Sequence, residues 1–141
     1  MIAKQMSVFI ENRKGRLGEV LDVLKANGVN ILSLSLADTA EYGLLRVISD
    51  KPQAGKTALS AAGFSCMLTD VFIVKVPHTP GALQNILRVI SDEEINVEYM
   101  YGLSVGGEEA SIVVKTSDVD KADEVFTKYN IETLSDSDLN V

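Results

Sequence analysis

The chain has 141 residues, of which 46% are hydrophobic and 23% charged, and its formal net charge is −7. This length allows one ordinary domain or two small ones, and the composition is typical of a folded globular protein rather than a disordered chain. The negative charge argues against a protein that holds a nucleic-acid backbone, and no apolar run is long enough for a membrane helix.

The first five residues and the cysteine content bear on the cellular compartment. The segment Met1–Gln5 lacks the pattern of a signal peptide, and Cys66 is a single cysteine that cannot form a disulfide within the chain. These features predict a cytoplasmic protein. Cys66 lies among small apolar residues, so we interpret it as an inert part of the core.

The first half of the chain predicts the element order β-α-β-β-α-β. An apolar stripe with the spacing i, i+3, i+4, i+7 indicates the first helix, and it consists of Leu17, Val20, Leu21 and Leu24. Gly28 and Gly63 mark the ends of the two helices, because glycine is common just past a helix C-terminus. The predicted strands are 6–10, 29–37, 43–49 and 64–68, and the second helix carries Ala54, Ala58, Leu59 and Ala62.

The second half predicts the same order again. We place the domain boundary at Asp70, which gives domains 1–70 and 71–141 with no flexible linker between them. Pro80 is expected in the first turn of the third helix, where a missing N–H has no cost. The predicted strands are 71–76, 95–104, 110–115 and 131–134, with a turn at 105–108, a fourth helix that carries Ala122, Val125, Phe126 and Tyr129, and a mobile acidic tail after 134.

The two halves repeat each other at a spacing of 66 residues (81 − 15), as Gly15 and Gly81 show. A repeat of this length indicates a duplicated small domain rather than a solenoid. Each copy predicts an antiparallel four-stranded sheet with both helices on one face. The fold class is therefore α+β, with two tandem ferredoxin-like βαββαβ units.

The repeated loops carry a resemblance to a known family. The pattern Asn12–Leu17 followed by Gly28–Ile31, and the pattern His78–Leu83 followed by Ile95–Val97, resemble the signature of ACT domains. Lys14 departs from the common pattern, which has proline there, and Arg16 stands where a smaller or apolar residue is frequent. The resemblance covers the whole chain as two tandem copies. It implies a regulatory module that binds a small effector, most often an amino acid.

The chemistry of these loops supports an amino-acid site independently. A carboxylate is attracted to the free N–H groups at a helix N-terminus that follows a glycine turn, and an ammonium group is attracted to amide oxygens such as those of Asn12, Asn30 and Asn96. In the family, the effector lies between the first loop of one domain and the second strand of its neighbour. The predicted ligand-binding residues are Asn12, Arg13, Lys14, Gly15, Arg16, Leu17, Asn30, Ile31, His78, Thr79, Pro80, Gly81, Ala82, Leu83, Asn96 and Val97.

Structural explanations of the same residues stay open at this point. Gly15 and Gly81 could be turn glycines without a ligand, and Asn30 and Asn96 could complete the turn after a helix in left-handed geometry. His78 could be a solvated loop residue. Tyr99 and Tyr101 share one face of a strand, where packing in a core or an interface is the simpler role.

Catalysis is not expected. The chain has one histidine and one cysteine, in different copies, and it has no phosphate-binding lysine motif or dinucleotide fingerprint. No cofactor and no metal are predicted. The sequence thus predicts a non-catalytic module with an amino-acid effector at the interface of two ACT domains. It also predicts a homodimer, because unpaired sheet edges can pair with a second copy. The alternative is a ligand-free subunit that docks on an enzyme of amino-acid metabolism, as a small subunit of acetolactate synthase does.

Overall fold

A computed structural model describes residues 1–38, 41–103 and 110–139, and these residues divide into two compact units. The N-terminal unit is formed by Lys4–Thr69, and the C-terminal unit by Asp70–Leu139 together with Met1–Ala3. The turn predicted at 105–108 lies outside the described residues, as do position 104 of a predicted strand and positions 39 and 40 of the first hairpin connection.

The N-terminal unit has the predicted order of elements and a ferredoxin-like order of strands. Its strands lie side by side in the order β2-β3-β1-β4, and β3 pairs antiparallel with both β1 and β2. The elements are β1 (Ala3–Glu11), α1 (Arg16–Ala26), β2 (Ile31–Asp38), β3 (Tyr42–Ser49), α2 (Pro52–Ala61) and β4 (Ser65–Val76).

The core of this unit lies between one face of its sheet and both helices. Strand alternation places Met6 and Val8 on the same face, where they are fully buried. Val20 and Leu24 on α1, and Leu59 on α2, pack in the same apolar cluster. The predicted helical stripe is therefore confirmed at its two buried positions, and both helices lie on one face of the sheet.

The C-terminal unit repeats this arrangement in the strand order β7-β4-β6-β5. Phe72 on β4 and Phe126 on α4 form its aromatic centre, with ring centroids 4.9 Å apart in an edge-to-face arrangement. The further elements are α3 (Ala82–Asp92), β5 (Val97–Leu103), β6 (Ala110–Thr116), α4 (Val119–Lys128), β7 (Thr133–Leu134) and a 3₁₀ helix (Asp136–Leu139). The predicted fold class, two tandem ferredoxin-like units, is confirmed.

The prediction of separate strands at 64–68 and 71–76 was wrong. The structure has one continuous strand, β4, of 12 residues, and Asp70 lies in its middle. Neither Thr69 nor Asp70 is a glycine or proline that would interrupt a strand, and the Thr69 hydroxyl is hydrogen-bonded to the Ser7 hydroxyl at 2.8 Å. One strand therefore supplies the last strand of the N-terminal unit and the first long strand of the C-terminal unit.

The C-terminal segment also differs from its prediction. The mobile tail is replaced at 136–139 by a 3₁₀ helix, in which Leu139 is buried. The backbone N–H of Ser135 donates to Oδ2 of Asp138 at 2.8 Å, and this bond, with one from the Ser135 hydroxyl, lowers the pKa of Asp138. The strand predicted at 131–134 is shorter, because the N–H of Ile131 still bonds to the Phe126 carbonyl at 2.8 Å.

The spacing between the copies changes from 66 to 67 residues after the second strand of each copy. Val97 pairs with Thr116 as Ile31 pairs with Ser49, so the offsets are 66 (97 − 31) and 67 (116 − 49). The second copy thus has one more residue between its second and third strands. Among the described residues, no helix is long and apolar enough to cross a membrane.

Candidate functional site

The loop that leads into α1 is built around Gly15. Gly15 is the N-cap of the helix with φ 88°, a left-handed conformation that side chains disfavour. Gly81 is the N-cap of α3 with φ 84°. Since the two φ angles are nearly the same, both copies have glycine at this position for the same reason, the left-handed conformation of the backbone. Pro80, predicted in the first turn of α3, lies instead in the turn before Gly81.

The hydrogen bonds of the two loops are equivalent at the 66-residue spacing. Each loop has three backbone hydrogen bonds. A loop N–H donates to the carbonyl two residues before it, the N–H of the first helical residue donates to a loop carbonyl, and the N–H of the fourth helical residue donates to the glycine carbonyl. In the first loop these are Arg13 N–Glu11 O (2.7 Å), Arg16 N–Arg13 O (3.2 Å) and Glu19 N–Gly15 O (3.1 Å). In the second they are Thr79 N–Pro77 O (2.8 Å), Ala82 N–Thr79 O (3.2 Å) and Asn85 N–Gly81 O (3.1 Å).

Neither α1 nor α3 has a side-chain hydrogen bond at its N-cap. The N–H groups in the first turn of an α-helix, here those of Leu17 and Gly18, have no acceptor within the helix itself. Free amides at a helix N-terminus attract an anion, and the helix dipole adds to that attraction. The first loop is therefore suited to a carboxylate.

A groove of about 190 Å³ adjoins this loop, and we call it the loop groove. Leu36 of β2, which is 50% exposed, lies at this groove as part of its apolar wall. The polar side is formed by the exposed residues Glu11, Asn12 and Arg13. The lining residues are Ile10, Glu11, Asn12, Arg13, Leu17, Leu36 and Gly43.

The loop groove brings together three of the predicted residues, Asn12, Arg13 and Leu17. Sequence reasoning missed the other four lining residues, Ile10, Glu11, Leu36 and Gly43. The sequence gives little indication of them, because the alternating pattern of the strand does not distinguish Leu36 from a residue that faces the core. Its position beside the loop depends on strand pairing, in which Leu36 lies opposite Leu45 and Asp38 opposite Gly43.

Asn30 and Ile31 lie apart from this groove. They line a second groove of about 380 Å³ beside the C-terminal half of α1, together with Leu21, Leu24, Lys25, Gly28 and Val29. Within the N-terminal unit, the structure does not join them with Asn12 and the first loop in one groove.

The backbone groups of Asn30 and Asn96 have the same structural task in the two copies. The N–H of Asn30 donates to Oδ1 of Asp50 at 2.8 Å, and the N–H of Asn96 donates to Oγ of Ser117 at 3.1 Å. The left-handed residues of these turns are Gly28 (φ 67°) and Glu94 (φ 60°). The alternative in which asparagine supplies left-handed geometry was therefore wrong, and both side chains are exposed.

Arg16 is engaged within its own unit. Its Nη1 donates to Oε2 of Glu19 at 2.6 Å, and its guanidinium lies 4.3 Å from the centroid of the Phe64 ring. Its Nε is buried and has no partner in the described part of the chain. Arg16 lines a groove of about 200 Å³, here called the arginine groove, with Phe9, Glu11, Tyr42, Gly63, Phe64 and Ser65.

The predicted residues of the second copy are arranged in two groups. His78, Thr79, Pro80, Gly81 and Asn96 are exposed, while Ala82, Leu83 and Val97 pack against the core of the C-terminal unit. Lys14 and Gly15 of the first copy are also exposed. Tyr99 and Tyr101 are half-buried, in keeping with the packing role considered for them.

Cys66 is buried, and burial raises the pKa of its thiol to about 11, an effect that the nearby Lys56 partly offsets. The reactive thiolate is therefore rare at neutral pH. Among the described residues, no group of three histidine, cysteine, aspartate or glutamate side chains is placed to hold a metal ion.

The fold and the loops define a class of protein: a tandem pair of ferredoxin-like units, each with a glycine-capped loop that opens its first helix. The family described as "ACT domain pair" matches residues 1–141, and the chain belongs to this family. A comparison with curated proteins gives no match.

Solved structures share the fold of this chain. The chain is similar to protein BT0572 from Bacteroides thetaiotaomicron, with 38% identity, a TM-score of 0.92 and coverage of 99% of this chain and 96% of the other. The fold is also that of the regulatory subunit of aspartate kinase from Thermus thermophilus in a ligand-free form. That similarity has 16% identity, a TM-score of 0.60 and coverage of 91% and 96%.

Proposed function

We propose that this ACT domain pair is a non-catalytic regulatory module whose effector is a free amino acid bound in the loop groove. One observation carries the proposal: exposed polar residues and an apolar wall line one small groove, and Leu17 in the uncapped first turn of α1 is part of its lining. An α-amino acid has matching parts, namely a carboxylate, an ammonium group and a side chain.

Each part of the effector has a counterpart in the N-terminal unit. The carboxylate would accept hydrogen bonds from the amides at the start of α1, with Arg13 as an additional cation. The ammonium group would donate to Glu11 and to the amide oxygen of Asn12. The side chain would pack against Leu17 and Leu36. A groove of about 190 Å³ favours a small or medium-sized effector.

The second loop supports a related site in the C-terminal unit. His78–Leu83 repeats the hydrogen-bond pattern of the first loop, and Asn96 and Val97 repeat Asn30 and Ile31. Regulation would follow if a partner enzyme of amino-acid metabolism binds the effector-loaded form with a different affinity from the free form. An effector that binds both forms equally would regulate nothing.

Self-association as a homodimer in the cytoplasm is part of the proposal. Strand β2 is at the end of the strand order in its unit, and its Leu34 and Leu36 are about half exposed, at 47% and 50%. An edge strand with exposed apolar side chains is a common site of pairing. Light scattering of the purified chain tests this part, and a monomer at micromolar concentration would contradict it.

The test of the effector is thermal melting of the full chain with each of the twenty amino acids at millimolar concentration. A ligand at about 100 times its Kd stabilises the folded state by about 2.7 kcal/mol. A rise in Tm with one or two amino acids is expected. A flat response across the panel would contradict the effector and favour the alternative, a ligand-free docking subunit.

Two variants localise the effect. Glu11→Gln removes the carboxylate beside the loop groove and should reduce the ligand-induced rise in Tm while it leaves the Tm of the free protein nearly unchanged. Asp22→Asn removes an exposed carboxylate from α1 outside that groove and is the matched control. An equal loss in both variants would contradict the assignment to the loop groove.

A further inference from the structure

A groove in the C-terminal unit combines opposite charges with an apolar wall. It has a volume of about 280 Å³ and is lined by Lys75, Pro77, Ile86, Asn130, Ile131 and Glu132. The Nζ atom of Lys75 lies 3.2 Å from Oε1 of Glu132, with the two side chains 32% and 66% exposed. We call this the ion-pair groove.

The ion-pair groove is the counterpart of the arginine groove in the other copy. Pro77 corresponds to Glu11 at the 66-residue spacing, and Asn130 and Ile131 correspond to Gly63 and Phe64 at the 67-residue spacing. The two copies therefore have a groove at the same place in the fold, formed by the end of the first strand, the first helix and the loop before the last strand.

The two grooves differ in what occupies them. In the N-terminal unit, the guanidinium of Arg16 lies over Phe64 and is a cation supplied by the chain itself. The residue at the equivalent position is Ala82, whose side chain is a single methyl group. The groove of the C-terminal unit, with about 280 Å³ against about 200 Å³, therefore has no cation of the chain at that position.

The charges of the ion-pair groove are specific to the second copy. Lys75 stands at the position of Phe9, and Glu132 at the position of Ser65. The arginine groove has its charges at Arg16 and Glu11, where the second copy has Ala82 and Pro77, so the ion-pair groove has one charge of each sign at different positions. Such a pair is suited to a molecule that itself carries one charge of each sign.

Asn130 gives a further indication. It has φ 56°, a left-handed conformation that glycine adopts at the equivalent position, where Gly63 has φ 91°. Asparagine tolerates this conformation better than most residues but less well than glycine. Its side chain lines the groove, where its amide can both donate and accept hydrogen bonds.

We propose that the ion-pair groove is a second ligand site, which takes a small zwitterion with an aliphatic body. The carboxylate of the ligand pairs with Lys75, its ammonium group pairs with Glu132, and its aliphatic part packs against Ile86 and Ile131. This site is separate from the loop groove, so it goes beyond the proposed function and does not depend on it. Exposure of both charged groups keeps the affinity in the millimolar range.

The ligand would also act on the adjacent strand. The N–H of Lys75 donates to the carbonyl of Glu132 at 3.0 Å, and Glu132 immediately precedes β7, which has only two residues. A ligand that holds the side chains of Lys75 and Glu132 together reinforces this backbone bond. Binding should therefore slow hydrogen exchange at the amides next to β7.

The experiment is an NMR titration of the full chain with labelled isoleucine and leucine methyl groups. The probe is L-leucine, compared with 4-methylpentanoate, which lacks the ammonium group, and 3-methylbutylamine, which lacks the carboxylate. We expect the methyl signals of Ile86 and Ile131 to shift with leucine, and each analogue to bind about 2- to 5-fold more weakly, because each loses one exposed charge pair.

Variants test the two charges. Lys75→Met and Glu132→Gln should each weaken the response of Ile86 and Ile131 by about 2- to 5-fold. Glu98→Gln is the matched control, because the exposed residue Glu98 forms another ion pair of the same unit, 3.9 Å from Nζ of Lys115. Melting curves of all three variants establish that they remain folded, so a lost response is a loss of binding.

The titration separates this inference from the proposed function. Shifts at Leu17 and Leu36 alone support the loop groove and overturn the second site. Shifts at Ile86 and Ile131 alone support the second site and count against the loop groove. Responses of Ile86 and Ile131 that are equal for all three probes, or unchanged in Lys75→Met and Glu132→Gln, also overturn the zwitterion site.

Discussion

The two copies share one backbone pattern but fill their cores in different ways. In the N-terminal unit α2 passes over Met6 at Gly55, where an added Cβ would lie 2.5 Å from the Met6 sulfur. The equivalent positions of the C-terminal unit hold Ala122 and Phe72, at spacings of 67 (122 − 55) and 66 (72 − 6). Both cores are fully buried at these positions.

The difference shows how the same fold accommodates different side chains. The N-terminal core combines glycine with a flexible methionine, while the C-terminal core combines alanine with a pair of rings, Phe72 and Phe126. At this contact, the side chains on the helix and on the sheet therefore both differ between the two copies, as close packing requires. Residues that suit one copy are not expected to suit the other.

The largest expected effect is at the aromatic centre of the C-terminal unit. Phe126→Ala removes a buried ring that contacts Phe72, and it should lower the free energy of unfolding by about 3 to 5 kcal/mol. Phe126→Leu restores the residue type of the equivalent position, Leu59, and should cost about 1 kcal/mol. Urea unfolding followed by circular dichroism measures both. A cost of less than about 2 kcal/mol for Phe126→Ala would contradict the role given to the ring.

The next largest effect is expected at the contact between Gly55 on α2 and Met6 in the N-terminal unit. Gly55→Ala places a methyl group against Met6 and should cost about 1 to 3 kcal/mol, although alanine favours a helix. Ala122→Gly, the reverse change in the other copy, should cost about 1 kcal/mol through lower helix propensity, and the loss of a fully buried methyl group adds to that cost. If Gly55→Ala stabilises the protein, Met6 can move aside and the contact does not require glycine.

The duplicated loops should respond alike. Gly15→Ala and Gly81→Ala each force a side chain into a left-handed conformation, and neither added Cβ has an atom within 4 Å. The cost is therefore one of backbone strain, about 1 to 2 kcal/mol in each copy. Urea unfolding compares the two. A difference of more than about 1 kcal/mol would show that the loops are not energetically equivalent.

The sequence was sufficient to predict the four helices, because local patterns determine them. The spacing of Val20 and Leu24 indicated a helix face, and the repeated glycines indicated two loops of one kind. The continuity of β4 was missed, since whether Thr69 and Asp70 break a strand depends on hydrogen bonds to another strand. The contribution of Leu36 to the loop groove depends on strand pairing in the same way, and local spacing does not report it.

A smaller effect is predicted at the turn after the first helix of each copy. Gly28 and Glu94 are equivalent and left-handed, with φ 67° and 60°, so the second copy has a strained glutamate where the first has glycine. Glu94→Gly should raise the free energy of unfolding by up to about 1 kcal/mol, because the strain removed exceeds the added flexibility of the unfolded chain. Glu93, the neighbour of Glu94, accepts a hydrogen bond from the Tyr129 hydroxyl at 3.1 Å and stays unchanged.

Asn130→Gly is the comparison for the gain in the free energy of unfolding that is expected from Glu94→Gly. Asn130 is also left-handed, but asparagine tolerates the conformation, so its replacement should change stability by only a few tenths of a kcal/mol. Urea unfolding of the two variants and of Gly28→Ala, which should be destabilised, measures the series. A larger gain at Asn130 than at Glu94 would mean that side-chain contacts, rather than backbone conformation, control these turns.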